Sequence, residues 1–310
     1  GLEKEPGVYR EGVGYIWDTY QMPCFNITAD HPYFYHEHLG ELPKDYRHIS
    51  IDRFQEQYFK EFYPEFAHIG FLPLAGTELC DGEGQEKLYE VIFTGNYTEL
   101  SFFEPYIHWI NDEYAAFYQG IIDELIEKPC RTVEEVALAH CEREMGREPN
   151  DQLRIALSKM IFIDLYVRNY WRGKVVCALV NEGIPVDVVG EGWKKLPGVR
   201  HPEMIRQAKI SLNVMPWFKD GAHDRVFNSI LNGAVCVSDT SGYLCEELKD
   251  GEGVCYYTLE HLEALPGKVK DLLQNEEKMQ EIVTCGREKV RAAHTWAQRA
   301  GKLAEWMEEI

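Results

Sequence analysis

Positive charge is scarce in this chain. Of 310 residues, 32 are Lys or Arg against 52 Asp or Glu, a formal net charge of −20. A field of that sign repels phosphate backbones and anionic lipid, which excludes broad binding to nucleic acid or to an acidic membrane surface. Long apolar runs are also missing. No stretch approaches 18 uninterrupted apolar residues, so no transmembrane helix is expected, and no signal peptide pattern opens the sequence. The nine cysteines are scattered, without a C-x-x-C pair and without histidines at zinc-ligand spacing. Neither a disulfide framework nor a structural zinc site is expected, and a reducing cytoplasm fits best. Cys177 and Cys236 lie in apolar runs and read as buried thiols. No internal repeat or low-complexity segment is found. The first residues, Gly1-Leu2-Glu3, carry no methionine, and an upstream segment is expected.

What is present describes a globular protein: 45% apolar and 27% charged residues, in a chain long enough for two domains. The organising stretch runs from Lys209 to Glu247. Ile210, Leu212 and Val214 alternate with polar neighbours and run into Pro216 and Gly221, as a strand entering a loop does. Val226, Phe227, Ile230 and Leu231 then recur at helical spacing until Gly233, and Val235 to Val237 resume a strand pattern. In such a unit a ligand lies beyond the carboxyl end of the strand, at the helix N-terminus, where unpaired N–H groups favour an anion. The loop holds Asp220, Gly221, His223, Asp224 and Arg225. Gly221 permits close approach of the backbone, and Arg225 offers a permanently charged fork suited to phosphate. The same pattern also serves a ligand-free α/β turn, with Asp224 as a simple N-cap. Residues 191–225 carry seven Lys or Arg against four Asp or Glu, a local basic patch in an acidic protein.

These residues resemble the donor-binding half of GT-B glycosyltransferases, in particular the group 1 family related to spore maturation glycosyltransferases. The matching positions are Lys209, Ile210, Leu212, Asn213, Gly221, Arg225, Phe227, Gly233, Asp239 and Glu246. Group 1 enzymes carry two glutamates with seven residues between them, and here that register holds Asp220 and Asn228. Asparagine is neutral, a departure that bears on the ribose contact.

In chain order, residues 1–15 read as a loose lead-in. Strands are expected at Cys24–Thr28, Arg47–Asp52 and Ala67–Leu72, with a helix at Phe54–Phe62, which is a parallel α/β segment. Asp30 and His31 stand at the end of the first of these strands, followed by Pro32. A general acid/base role or an acceptor contact is one reading, and a capped turn is the other. Cys80–Lys87 reads as a linker, and Leu88–Gly95 as a buried strand whose terminal Gly95 would turn a backbone amide to the ligand. Helices are expected from Glu104 to Lys128, from a Thr132/Glu135 capping box, and from Asn150 onward, the last long or broken near Gly173. Ile184–Val189 is a strand followed by Gly190, Glu191, Gly192 and Trp193. Lys195 in the third glycine position and Pro197 beyond it rule out a Rossmann dinucleotide fingerprint. Trp193 either stacks on a base or packs under its own loop. A final helix from Thr295 carries Trp296 and Trp306.

The resemblance implies an α/β, GT-B-like fold of two Rossmann-like domains. Residues 1–80 would be a partial acceptor-side domain and 88–293 a donor domain with a helical insertion at 104–183. Residues 294–310 would form a helix crossing back to the first domain. It implies a bacterial, cytoplasmic hexosyltransferase that moves sugar from a nucleotide-diphosphate sugar to a hydroxyl acceptor, without metal or separate cofactor. No D-x-D triplet, the metal and diphosphate motif of the other large glycosyltransferase fold, occurs. Asp30, His31 and His223 are the candidate catalytic residues. The donor would be held by Gly95, Gly190, Gly192, Trp193, Lys209, Asn213, Asp220, Gly221, Asp224, Arg225, Asn228, Asp239, Glu246 and Glu247. A sugar-nucleotide epimerase on the same fold and a non-catalytic nucleotide-sugar-binding protein are the rivals.

Overall fold

A computed structural model describes residues 7–79, 86–193 and 201–309. Residues 80–85 of the expected linker, and Lys194, Lys195 and Arg200 of the basic run, lie outside the described residues. The chain opens with strands β1 (Tyr9–Arg10) and β2 (Gly14–Tyr15), helix α1 (Ile16–Tyr20), strands β3 (Cys24–Ile27) and β4 (Tyr46–Ser50), helix α2 (Arg53–Phe62) and strand β5 (Ala67–Phe71). Strand β6 (Tyr89–Thr94) is followed by helices α3 (Glu104–Ile107), α4 (Asp112–Glu127), α5 (Val133–Met145), α6 (Asn150–Lys159) and α7 (Ile161–Asn181), then by strand β7 (Val186–Val189). After helix α8 (His201–Gln207) come strand β8 (Ala208–Asn213), helix α9 (Asp224–Leu231), strand β9 (Val235–Asp239), helix α10 (Gly242–Glu247) and strand β10 (Val254–Tyr257). Helices α11 (Leu265–Leu273), α12 (Glu276–Ala293) and α13 (Trp296–Glu308) close the chain.

Packing divides the chain into two units: Gly1–Pro73 with Ala137–Ile161, and Leu74–Val136 with Phe162–Ile310. The first unit holds a parallel three-stranded sheet in the order β3-β4-β5. Helix α2 connects β4 to β5 and starts at Asp52, whose carboxylate accepts the N–H of Phe54 at 2.8 Å. Its Tyr58, Phe59 and Phe62 are buried, and Phe59 stacks at 3.6 Å on His48 of β4. Burial lowers the His48 imidazole to about 3, so the ring behaves as an apolar core group. Helix α6 joins this unit, with Arg154 donating to the Phe62 carbonyl at 2.9 Å. The helical stretch 104–183 is therefore shared between the units. The lead-in is more ordered than its composition implies, because Tyr9 and Tyr15 pack edge to face at 5.1 Å across the β1–β2 pair.

In the second unit all five strands are parallel, in the order β10-β9-β8-β6-β7. Ile92 and Phe93 of β6, Ile210 and Leu212 of β8, and Val235 and Val237 of β9 are fully buried, as near-continuous apolar strands must be when helices cover both faces. From β6 the chain crosses to β7 on one side, whereas β8 leads to β9 and β10 on the other. The order therefore reverses between β6 and β8, and the carboxyl ends of these two strands open the crevice in which such sheets bind ligands.

Several helix boundaries differ from those the sequence implies. The helix read from Glu104 to Lys128 breaks at 108–111, and Asn111 caps the second piece by accepting the N–H of Tyr114 at 2.9 Å. The long third helix breaks at Met160, not near Gly173. Gly173 stays helical and lies against the Tyr97 ring, where a Cβ would be in ordinary contact at 3.4 Å. The Thr132/Glu135 capping box is present, with both bonds at 3.1 Å. Cys236 is buried as expected, but Cys177 faces solvent, because α7 turns Val175, Val176 and Leu179 inward instead.

Candidate active site

At the carboxyl end of β6 and β7 two loops are knitted together. The N–H of Gly95 donates to the Val189 carbonyl at 2.8 Å, that of Tyr97 to the Glu191 carbonyl at 2.9 Å, and that of Glu191 to the Asn96 side chain at 2.9 Å. Gly190 and Gly192 hold positive φ angles of 147° and 76°. A Cβ on them would stand 2.2 Å from the Gly95 carbonyl oxygen and 1.9 Å from that of Tyr97. These glycines thus serve loop-on-loop contact, and the Gly95 amide expected to face a ligand is already bonded. Trp193 lies 4.5 Å from the Tyr97 ring and 6.0 Å from Phe93. Its packing reading is the one the geometry supports.

Between β6 and β8 stands the start of α9. Arg225 is 6% exposed, with its guanidinium 5.7 Å from the centroid of the Phe93 ring. Nη2 donates to Nε2 of His223 at 2.9 Å. Nη1 is buried and has no hydrogen-bond partner among the described residues. A Cβ on Gly95 would lie 3.5 Å from that same nitrogen, so the glycine keeps the space beside it open. His223 is the N-cap of α9, and its Nδ1 lies 2.5 Å from Asp224 Oδ1. Burial, then the Arg225 charge, lower His223 to about 4, so it is neutral at physiological pH. The guanidinium is thus held by a neutral imidazole and not by a carboxylate. A buried, unpaired guanidinium nitrogen is costly, and an anion at a helix N-terminus removes that cost.

Helix α7 borders the same place, which the sequence reading missed by treating its helices as structural filling. Arg168 and Arg172 stand at i, i+4, with their guanidinium carbons 4.5 and 4.9 Å from the Trp217 ring. Arg172 donates to the Asn96 carbonyl at 2.7 Å, and Arg168 forms a bidentate pair with Asp164. Trp217 and Phe218 each meet the His223 ring at 5.9 Å, nearly edge-on. The R-x-x-x-R spacing and the Trp-Phe pair were the available signals. Arg172, Trp217 and Arg225 make this end of the sheet cationic and aromatic.

Most of the other expected donor residues make contacts within the fold. Lys209 sits at the opposite, amino end of β8 and pairs with Glu276 at 3.1 Å. There it lines a cavity of about 390 Å³ with Lys87 and Met279. Asn213 is fully buried and donates to the Ser238 hydroxyl at 2.9 Å. Asp239 accepts the Met215 N–H at 2.9 and 3.1 Å, which fixes the loop after β8. Asn228 accepts the N–H of Thr77 at 2.8 Å and donates to Asp224 Oδ2 at 3.2 Å. Glu247 lies 3.3 Å from Nε2 of His294, and Glu246 is exposed on the same short helix. Asp220 and Gly221 belong to the loop that packs on α10: the Gly221 carbonyl accepts the Ser241 hydroxyl, and the Asp220 carboxylate fills the space a side chain on Gly242 would need. The neighbouring Lys219 is half-buried and donates to the carbonyls of Pro129 and Pro216.

Asp30 and His31 belong to the first unit, just beyond β3. His31 is 6% exposed, stacks on Tyr33 at 3.9 Å and caps the following 3-10 turn. Asp30 is half-buried beside it. Among the described residues, no group of three or more His, Cys, Asp or Glu converges as a metal site, and no helix is long and apolar enough to cross a membrane.

Residues 172–305 match the family model described as glycosyl transferase-like. The match begins at Arg172 and takes in β7 through α12, with Trp217, His223, Asp224 and Arg225, while Phe93, Gly95 and Arg168 lie before it. Over that segment the chain is similar to glycosyl transferase-like domains. No curated protein matches the chain. Solved structures similar to it include a sucrose-phosphate synthase from Thermosynechococcus elongatus, with 12% identity, 94% of this chain and 70% of that one covered, and a TM-score of 0.47. A glycosyltransferase from Rickettsia africae has 9% identity, covers 92% of this chain and 70% of its own, and scores 0.46. A UDP-forming trehalose-phosphate synthase from Burkholderia xenovorans has 12% identity over 88% and 63% of the two chains, with a score of 0.41. Likeness at that level adds nothing to the case made by the site and by the family match.

Proposed function

We propose that the second unit binds a nucleotide-diphosphate sugar and that the protein passes the hexosyl group to a hydroxyl acceptor, as a GT-B enzyme of the spore maturation branch in the cytoplasm. The observation that carries this reading is the buried, unpartnered Nη1 of Arg225 at the strand-order reversal. The bond from the anomeric carbon to the diphosphate oxygen breaks, a bond to the acceptor oxygen forms, and the acceptor hydroxyl proton leaves to a base. The difficult part is the negative charge growing on the departing diphosphate. Arg225 meets it in a water-poor setting over Phe93, the α9 N-terminus adds its partial positive charge, and Arg172 adds a second cation. Positive side chains would then do the work that a divalent cation does in metal-dependent transferases. Asp30 is the better base candidate of the first unit, since the His31 ring is packed between Tyr33 and Tyr58.

The test is to incubate full-length protein with UDP-, GDP- and dTDP-sugars and an acceptor panel, and to follow free nucleoside diphosphate. Acceptor-dependent release that disappears in Arg225→Ala is the expected result. A folded protein that binds none of the three nucleoside diphosphates would overturn the reading.

A further inference from the structure

The three consecutive residues His223, Asp224 and Arg225 raise a problem of charge. A carboxylate that paired with this arginine would neutralise it and leave little for a ligand. Here the imidazole stands between them. Asp224 Oδ1 is 2.5 Å from His223 Nδ1, and His223 Nε2 is 2.9 Å from Arg225 Nη2. The second carboxylate oxygen is also held, by Asn228 Nδ2 at 3.2 Å, and Asn228 in turn accepts the N–H of Thr77. Trp217 and Phe218 meet the imidazole edge-on from the loop before it and fix its plane.

We infer that Asp224 and His223 form a positioning pair for Arg225: the carboxylate keeps the imidazole proton on Nδ1, and the bare Nε2 takes one N–H of the guanidinium. The other terminal nitrogen then stays unpaired and fully charged for the ligand. This rests on the donor reading only for the identity of that ligand. The tautomer follows from the distances. The backbone N–H of Arg225 lies 3.2 Å from Nδ1 and competes with Asp224 for that atom. If Nδ1 were bare to accept it, its lone pair would face a carboxylate oxygen at 2.5 Å, and an Nε2–H would point at a guanidinium N–H. Both contacts would repel, so the proton belongs on Nδ1. The lowered imidazole basicity agrees, since a doubly protonated ring would confront Arg225. The groups facing this imidazole are Asp224, Arg225 and Arg172, with Trp217 and Phe218 as its apolar walls.

The arrangement makes a distinctive prediction for substitutions. Asp224→Asn keeps the shape but supplies an amide donor to Nδ1, which moves the proton to Nε2 and turns it against the guanidinium. His223→Gln keeps a neutral acceptor, whereas His223→Ala removes it. Affinity for UDP, GDP and dTDP, read by calorimetry, is expected to fall about tenfold in Asp224→Asn and His223→Ala, the scale of one hydrogen bond to a charged group, and to recover most of that loss in His223→Gln. The direct reading is nitrogen NMR of histidine-labelled protein at neutral pH, where His223 should be neutral with Nδ1 protonated in the parent chain and Nε2 protonated in Asp224→Asn. An Nε2 proton in the parent chain overturns the inference, as does a Gln variant no better than Ala. Absence of nucleoside diphosphate binding in the parent chain overturns the donor assignment instead, and the tautomer still decides the relay.

Discussion

The two ends of the five-stranded sheet both carry cations, and the fold treats them in opposite ways. At the amino end, Lys209 pairs with Glu276, and Lys87 donates its N–H groups to the carbonyls of Arg206 and Gly233. Each charge there answers a group of the protein itself. Lys87 is exposed, and its ammonium is shared by those two carbonyls at the surface. At the carboxyl end, Arg225 is buried, yet only one of its terminal nitrogens is answered, and by a neutral ring. What differs is not the amount of charge but whether the protein has already neutralised it. A cation with all its bonds made stabilises the fold; one left short of a bond is prepared for something that arrives later.

The comparison can be broken or sharpened by substitution. The largest effect belongs to the glycines that let the carboxyl-end loops touch: Gly192→Ala meets both an unfavourable φ and the Tyr97 carbonyl, and should cost at least about 3 kcal/mol of stability in denaturant unfolding. A near-parental unfolding midpoint would show that the loops are not in contact. Next, Arg225→Ala should weaken nucleoside diphosphate binding by roughly 1.5–3 kcal/mol by calorimetry while the fold survives. Unchanged affinity would place the anion elsewhere.

Asp239 offers a test through pH. Burial raises its carboxyl from 3.8 to about 7, against the opposing pull of the Met215 N–H and of Lys219. The folded chain then holds a proton that the unfolded chain has released, so the stability this group contributes is present below about pH 4 and lost as pH rises through about 7. Asp239→Asn keeps an acceptor for Met215 and removes the titration, and its Tm should fall less between pH 5 and 8 than that of the parent chain. Equal slopes would mean that another group dominates. The smallest effect is expected at the amino end. Lys209→Ala breaks a pair whose glutamate is 77% exposed, and should change stability by no more than about 0.5 kcal/mol and diphosphate affinity not at all. A clear loss of affinity would contradict the division between the two ends.

Much of this was legible beforehand. Alternating and continuous apolar runs gave the strands β3 to β9 within a residue or two, because burial on one or both faces of a sheet leaves a period that the sequence preserves. The loop before α9 was legible for the same reason, as a glycine and a charged cluster between a strand and a helix. Helix ends were legible where a local bond makes them, as at Thr132 and Glu135, and illegible where tertiary contact decides, as at Met160 and Gly173.

The sequence by itself determined that this is a parallel α/β protein with a basic, glycine-bearing turn fit for an anion, since those properties depend on neighbours within a few positions. Only the tertiary structure decided which of the polar residues near that turn remain available. Asn213, Asn228 and Asp239 looked like ligand groups and became hydrogen-bond partners of Ser238, Thr77 and Met215, while Arg172 entered from a helix read as structural and placed its guanidinium over Trp217 of the loop itself. The reason is that a polar side chain is spent or spared by its partners, and those partners lie tens to more than a hundred residues away along the chain.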